Sequence, residues 1–229
     1  MKSFKKIRLA ALNLDGVLIN DTYSPVIKNF IEKHGGIYTR EIERLIWGAP
    51  HIVAGHNMAT YCKLPWSAQQ TIEEFFEERE EYIKQHPVKL ELGVKNLLEL
   101  LAKKGAKITT YGGRIREYVF KYLSSVSHYL DHETPYIDTN SIRPSVKEIV
   151  YDMFKLNFDE VLFIDDINRM AEVCRYLNAG FIGPPVTKYQ LYDMENTEVK
   201  YIIPKGISEI NSHLLDKLDK DLLSGTLWK

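Results

Sequence analysis

Cysteine is scarce in this sequence: Cys62 and Cys174 are the only two in 229 residues. They lie far apart and match no metal-binding spacing. That excludes a cysteine metal centre, and reduced, mostly buried thiols in a cytosolic protein are expected. An excess of charge of either sign is missing as well. Lys and Arg number 30 against 31 Asp and Glu, giving a net charge of -1, so neither nucleic acid nor an anionic membrane is an expected partner. No apolar run approaches the ~20 residues of a membrane span. The basic start, residues 1–6, leads into a short apolar stretch ending in Asn-Leu-Asp, unlike a signal peptide. The expected location is cytoplasmic. Repeats and low-complexity segments are also lacking. The composition, 45% hydrophobic and 27% charged, is that of an ordinary globular chain long enough for one large domain, or a core with a smaller inserted module.

Residues 7–20 anchor the reading. An apolar run of strand length passes through Leu12 to Asn13-Leu14-Asp15-Gly16. The short length and the turn signal behind it favour a buried strand over a helix. Gly16 lets the chain turn sharply. An amide and a carboxylate therefore stand at the carboxyl end of a strand, where open α/β sheets place ligands.

The pattern then becomes helical. Apolar residues at three- and four-residue spacing (Val26, Ile27, Phe30, Ile31; Ile42, Leu45, Ile46) predict helices over 24–34 and 39–47, broken by Gly35-Gly36. Another helix is expected over 52–62. A long acidic one follows over 67–85, with Ser67 and Gln70 spaced as a capping box. Its run from Glu73 to Glu81 predicts a solvated face with Phe75 and Phe76 turned inward. Residues 20–88 thus read as an all-helical insert.

Beyond it, strands alternate with helices. Helices are expected over 93–104, 116–124, 145–156, 168–177 and 207–223. Strands are expected over 107–111, 136–138, 160–164, 180–183 and 199–203, with 186–198 irregular. The strand over 160–164 closes on Asp165-Asp166. This alternation predicts a doubly wound parallel α/β sheet, residues 1–19 and 89–229, carrying the small helical insert 20–88.

At Asn13-Leu14-Asp15-Gly16-Val17-Leu18 the chain resembles the first motif of the haloacid dehalogenase superfamily of phosphatases and phosphomutases, Asp-x-Asp-Gly-Thr/Val-Leu. The insert is similar to the helical cap of one branch of that family. The resemblance implies that Asn13 stands at the nucleophile position and Asp15 at the general acid/base. Thr110-Tyr111-Gly112-Gly113 fills the place of the second motif, with Thr110 as phosphate-binding hydroxyl and the two glycines offering backbone N–H groups. A plain strand-to-helix turn is the alternative. Arg143-Pro144 takes the place of the family's lysine, keeping the charge but not its shape. Lys147 is a substitute or a surface lysine. Asp165 and Asp166 match the fourth motif, whose acids hold Mg²⁺ together with Asn13 and the backbone carbonyl of Asp15; acids capping a helix are the alternative.

The implied substrate is a small phosphorylated metabolite or another anion, with Arg114 a candidate for a further anionic group. His51, His56 and Asn57 are either cleft residues of the cap or ordinary polar helix residues. An amide at position 13 is no nucleophile, so turnover by the family route should be close to absent. Asn13 then marks either a phosphatase whose nucleophile has been replaced or a naturally non-catalytic ligand- or protein-binding relative. A homodimer is compatible with either.

Overall fold

The computed structural model describes residues 2–143 and 145–228. Five parallel strands form one sheet: β1 (Leu9–Asn13), β2 (Lys107–Gly112), β3 (Tyr136–Asp138), β4 (Val161–Ile164) and β5 (Gly180–Ile182), in the order β3-β2-β1-β4-β5. The central strand β1 is buried along its whole length, as expected of a strand covered on both faces. Its register sets Asn13 beside Tyr111 of β2, and Leu12 beside Ile164 of β4. The ends of the first and fourth motifs are thereby brought side by side.

Two apolar layers cover the sheet. On one face Ala10, Leu12, Ile108 and Leu162 meet α5 (Val94–Lys103), α6 (Arg116–Leu123) and α9 (Ser212–Ser224). On the other, Leu9, Ala11, Tyr111 and Phe163 meet α7 (Asn168–Leu177) and the segment around Ile149. Asp219 of α9 fastens the chain entering β1, its carboxylate accepting from the N–H groups of Lys5, Lys6 and Ile7 at 2.8, 2.9 and 2.9 Å.

Between β1 and β2 lie α1 (Ser24–Lys33), α2 (Arg40–Ile46), α3 (His51–Tyr61) and α4 (Ala68–Gln85). They enclose an apolar cluster of their own, with Phe30, Ile31, Met58 and Phe75 at its centre. Ser67 caps α4, its hydroxyl accepting from Gln70 N–H at 3.1 Å. Among the described residues no helix is long and apolar enough to cross a membrane.

Several elements differ from the sequence expectation. Residues 186–198 are not irregular: α8 (Lys188–Asn196) occupies them, capped by Thr187. Its buried side includes Gln190 and Asp193, so no apolar stripe announces it. The strand expected over 199–203 is reduced to a single bridge between Ile202 and Gly183. Pro184 and Pro185 end β5 there, and proline brings no N–H to extend a ladder. The last helix starts at Ser212, capped by Asn211, rather than at 207. Over 145–156 the expected helix is present but shorter and more widely wound, a π-type helix over Glu148–Met153, with Phe154 N–H donating to Ile149 at 3.1 Å. Met153, at the end of this wider winding, is exposed.

α8 matters because it grips the insert. Glu43 of α2 is fully buried. Its carboxylate accepts from Tyr38 (2.6 Å), Thr187 (2.8 Å) and the side chain of Gln190 (2.7 Å). One turn along, buried Asp193 pairs with Arg40 and with Arg44 at 3.1 Å, and Arg44 reaches Glu172 at 2.9 Å. Buried carboxylates are tolerated only when so fully satisfied.

Candidate functional site

The site is assembled where β1, β2 and β4 end under the helical insert. Asn13 is 6% exposed. Its Nδ2 donates twice, to the backbone carbonyl of Asp15 at 2.9 Å and to Asp166 Oδ1 at 2.7 Å. Gly16 makes this closeness possible. Its φ is +77°, and a Cβ there would stand 2.7 Å from Asp166 Oδ2, so any side chain would collide with the Asp166 carboxylate as well as strain the backbone.

Asp165 faces the other way. Its Oδ2 accepts from the hydroxyl of buried Tyr111, and its Oδ1 accepts from Ile167 N–H at 2.9 Å. Burial raises the affinity of both adjacent acids for a proton, and the charge of Asp165 pushes Asp166 further up. Asp15 is pushed up to about 6 by burial, against the opposing pull of Arg79 and then Arg114.

Above these groups is a cavity of about 110 Å³. Its roof is apolar, with Trp47, Met58, Phe75 and Phe76, and its floor holds Asn13, Asp15, Gly112, Gly113 and Asp166. Arg143 and His51 line one side. A Cβ on Gly113 would lie 3.0 Å from His51 Nε2 and 3.2 Å from Arg143 Nη2, so the two side chains converge on the backbone at that glycine. Among the described residues Arg143 Nε, buried, has no hydrogen-bond partner. Burial first, then the charges of Arg114 and Arg143, press His51 down to about 4.

This architecture has known counterparts. No protein-family model and no curated protein sequence matches the chain, but solved structures do. A β-phosphoglucomutase from Clostridium difficile superimposes with a TM-score of 0.69 over 95% of this chain and 99% of its own, at 13% identity. A phosphonoacetaldehyde hydrolase-like protein from Oleispira antarctica gives 0.70 over 98% and 97%, at 12% identity. A HAD hydrolase of family IA, variant 3, from Entamoeba histolytica gives 0.67 over 93% and 100%, at 15% identity. The fold is that of the haloacid dehalogenase superfamily.

Within that fold the four stretches singled out in the sequence are distributed unevenly. Asn13, Asp15, Gly112, Gly113, Arg143 and Asp166 share the cavity. Thr110 and Tyr111 do not line it. Thr110 is fully buried and its hydroxyl donates to the Leu12 carbonyl at 2.9 Å, so no free hydroxyl is left for a phosphate. The strand runs on to Gly112, and the residue at its end has no side chain. Tyr111 points inward to Asp165, and Asp165 is likewise held off the cavity. Arg114 lies outside the lining, stacked 4.0 Å over Tyr118 with its Nη1 3.1 Å from Tyr23 Oη. Lys147 is exposed and lies outside the lining, and Pro144 lies outside the described residues. Of the three insert residues, only His51 reaches the cavity; Asn57 donates to the Leu45 carbonyl at 2.8 Å and His56 faces solvent.

Arg79 was hidden in the acidic run. Its side chain is fully buried, donating to Thr22 at 2.6 Å and Tyr118 at 2.8 Å, with Nη2 4.0 Å from Asp15 Oδ1. It is the one basic residue between Glu73 and Glu81, four positions after Phe75 and hence on the same helix face. That spacing was the available signal.

The Mg²⁺ that the resemblance implies meets a poor donor set. The Asp15 carbonyl and Asp166 Oδ1 both already accept from the Asn13 amide, and both oxygens of Asp165 are engaged. Among the described residues no group of three or more His, Cys, Asp or Glu is arranged to hold a metal ion. As arranged, these residues do not fit a divalent cation.

Proposed function

We propose that this chain is a binding member of a phosphatase-type fold. It receives a small phosphorylated metabolite, or another small anion with an apolar part, between the helical cap and the sheet, without hydrolysing it. The observation that carries this is the orientation of Asn13: at the nucleophile position stands an amide nitrogen committed to two hydrogen bonds.

The lone pair of an amide nitrogen is delocalised into its carbonyl, so a carboxamide carries no charge with which to attack phosphorus. Loss of a covalent nucleophile costs on the order of 10⁴–10⁶ in turnover. Binding has separate support. Arg143 lines the cavity with its Nη2 close against the Gly113 backbone and beside His51, which puts a guanidinium charge within reach of an anion there. The roof of Trp47, Phe75 and Phe76 suits an apolar body and keeps water away.

A second reading, a phosphatase disabled at one atom, is favoured by the retention of Asp15, Asp165 and Asp166. Phosphate release from a panel of phosphate monoesters with Mg²⁺, run on the native chain and on Asn13→Asp, separates the two. Silence from both, with calorimetric binding of inorganic phosphate or of a panel member to the native chain, is the expected result. Release by the native chain refutes the proposal, and release gained only by Asn13→Asp establishes the second reading.

A further inference from the structure

The Asn13 amide bridges the two oxygens that, by the resemblance, should coordinate a cation. We infer that this carboxamide takes the place of the divalent ion, so that the cap–core pocket accepts its ligand without a metal. The inference rests on that pocket being the ligand site, as proposed above.

The geometry carries it in three steps. Asp166 Oδ1 and the Asp15 carbonyl lie 2.7 and 2.9 Å from one nitrogen, so two oxygen lone pairs converge on one point. Such a convergence needs a positive partner. A carboxylate at position 13 would add a third converging oxygen and a second negative charge, which a hard cation answers. The amide answers the same convergence with two N–H bonds and no net charge.

Turning the amide over would offer its oxygen to an ion. That would break both hydrogen bonds and leave Asp166 as the single anionic donor, since both oxygens of Asp165 are held by Tyr111 and Ile167. Mg²⁺ gives up its waters reluctantly and is held through carboxylates together with substrate phosphates. One carboxylate and two neutral oxygens are a weak claim on it.

Removing the metal also changes what the floor presents to a ligand. With no cation bridging protein and ligand, the anion is held by Arg143 and the Gly113 backbone. Its affinity should then be indifferent to chelators.

The test is Mn²⁺ titration of the full chain followed by the electron paramagnetic resonance of free Mn²⁺, with Mg²⁺ competition. The native protein is expected to show no stoichiometric site below about 1 mM. Asn13→Asp, which restores a second carboxylate, is expected to bind one Mn²⁺ at least about tenfold more tightly and to lose it in Asn13→Asp/Asp166→Asn. One Mn²⁺ bound per native chain, displaced by Mg²⁺ and lost in Asp166→Asn, would overturn the inference. So would silence in Asn13→Asp, provided its circular dichroism matches the native spectrum. If that variant does not fold, the native titration decides alone. In a separate arm, calorimetry with inorganic phosphate in EDTA against Mg²⁺ must give the same affinity; a requirement for Mg²⁺ also overturns it. A panel free of hydrolysis with tight Mn²⁺ binding would sink this inference and leave the proposed function standing.

Discussion

Replacing Glu43 by alanine tests how the helical insert is held to the sheet. The native carboxylate is buried and accepts from Tyr38, Thr187 and Gln190 at 2.6, 2.8 and 2.7 Å. Each hydrogen bond to a charged group contributes about 1.5–3 kcal/mol net, and leaving a buried donor unmade costs a similar amount. The three donors share one carboxylate, so their contributions overlap. The expected loss is about 3–5 kcal/mol, the range found when one partner of a buried charged cluster is removed. For a chain of this size that corresponds to a fall in Tm of roughly 6–20 °C.

Glu43→Gln keeps the shape and an accepting oxygen while the Tyr38 hydroxyl can turn to accept, so about 1–2 kcal/mol is expected. Urea unfolding gives the free energies. Hydrogen exchange gives the location, and protection should fall first in α2 and α8, the two elements the carboxylate joins. A loss below about 1 kcal/mol for Glu43→Ala, or a larger loss with α8 protection unchanged, would refute the idea that this carboxylate fastens insert to sheet.

Two further outcomes are expected. Arg79→Met should cost about 3 kcal/mol, because it leaves Asp15 buried without its nearest cation, and the Asp15 carboxyl, followed by NMR titration, should move above its present value of about 6. His51 titrates near 4 in the fold instead of 6.5, so the unfolded chain takes up its proton first. Its contribution is complete above pH 6.5 and is lost as pH falls toward 4, by about 1–2 kcal/mol once partial solvent screening is allowed for. The buried carboxylates slope the opposite way, so the measurement is the difference between the native chain and His51→Gln in urea unfolding at pH 7 and pH 5; equal differences at both values would refute the assignment.

The parts of the molecule that could be read from sequence are those governed by apolar burial. β1 and β4 are continuous apolar runs closed by polar residues, and a strand covered on both faces looks like that. α1 and α5 show their stripes at helical spacing. α8 could not be read, because the residues it turns inward include Gln190 and Asp193, which are buried by hydrogen bonding and ion pairing with the insert rather than by hydrophobicity. The grip between insert and sheet was lost with it. Arg79 was masked in the same way: six acidic neighbours mark the helix as solvated, while Tyr23, Thr22 and Tyr118 provide the polar burial that the guanidinium needs. Long-range polar partners leave no periodic trace.

The error at Thr110 has a different origin and bears on what the site can do. A motif read along the chain assigns the hydroxyl by residue type, but its direction is set by register. Thr110 lies opposite Leu12 and its hydroxyl goes to that neighbour's carbonyl; the strand then ends on Gly112, which has no group to offer. Asn13 and Gly112 thus stand at the ends of adjacent strands, the one without the carboxylate and the other without the hydroxyl that the resemblance implies for a phosphate site. Restoring the first alone leaves the second missing, and Arg143 still stands for lysine. Asp165, by contrast, has both oxygens engaged, by Tyr111 and Ile167, and Asp166 has its Oδ1 engaged by Asn13, so three of the pair's four oxygens are answered by hydrogen bonds within the fold.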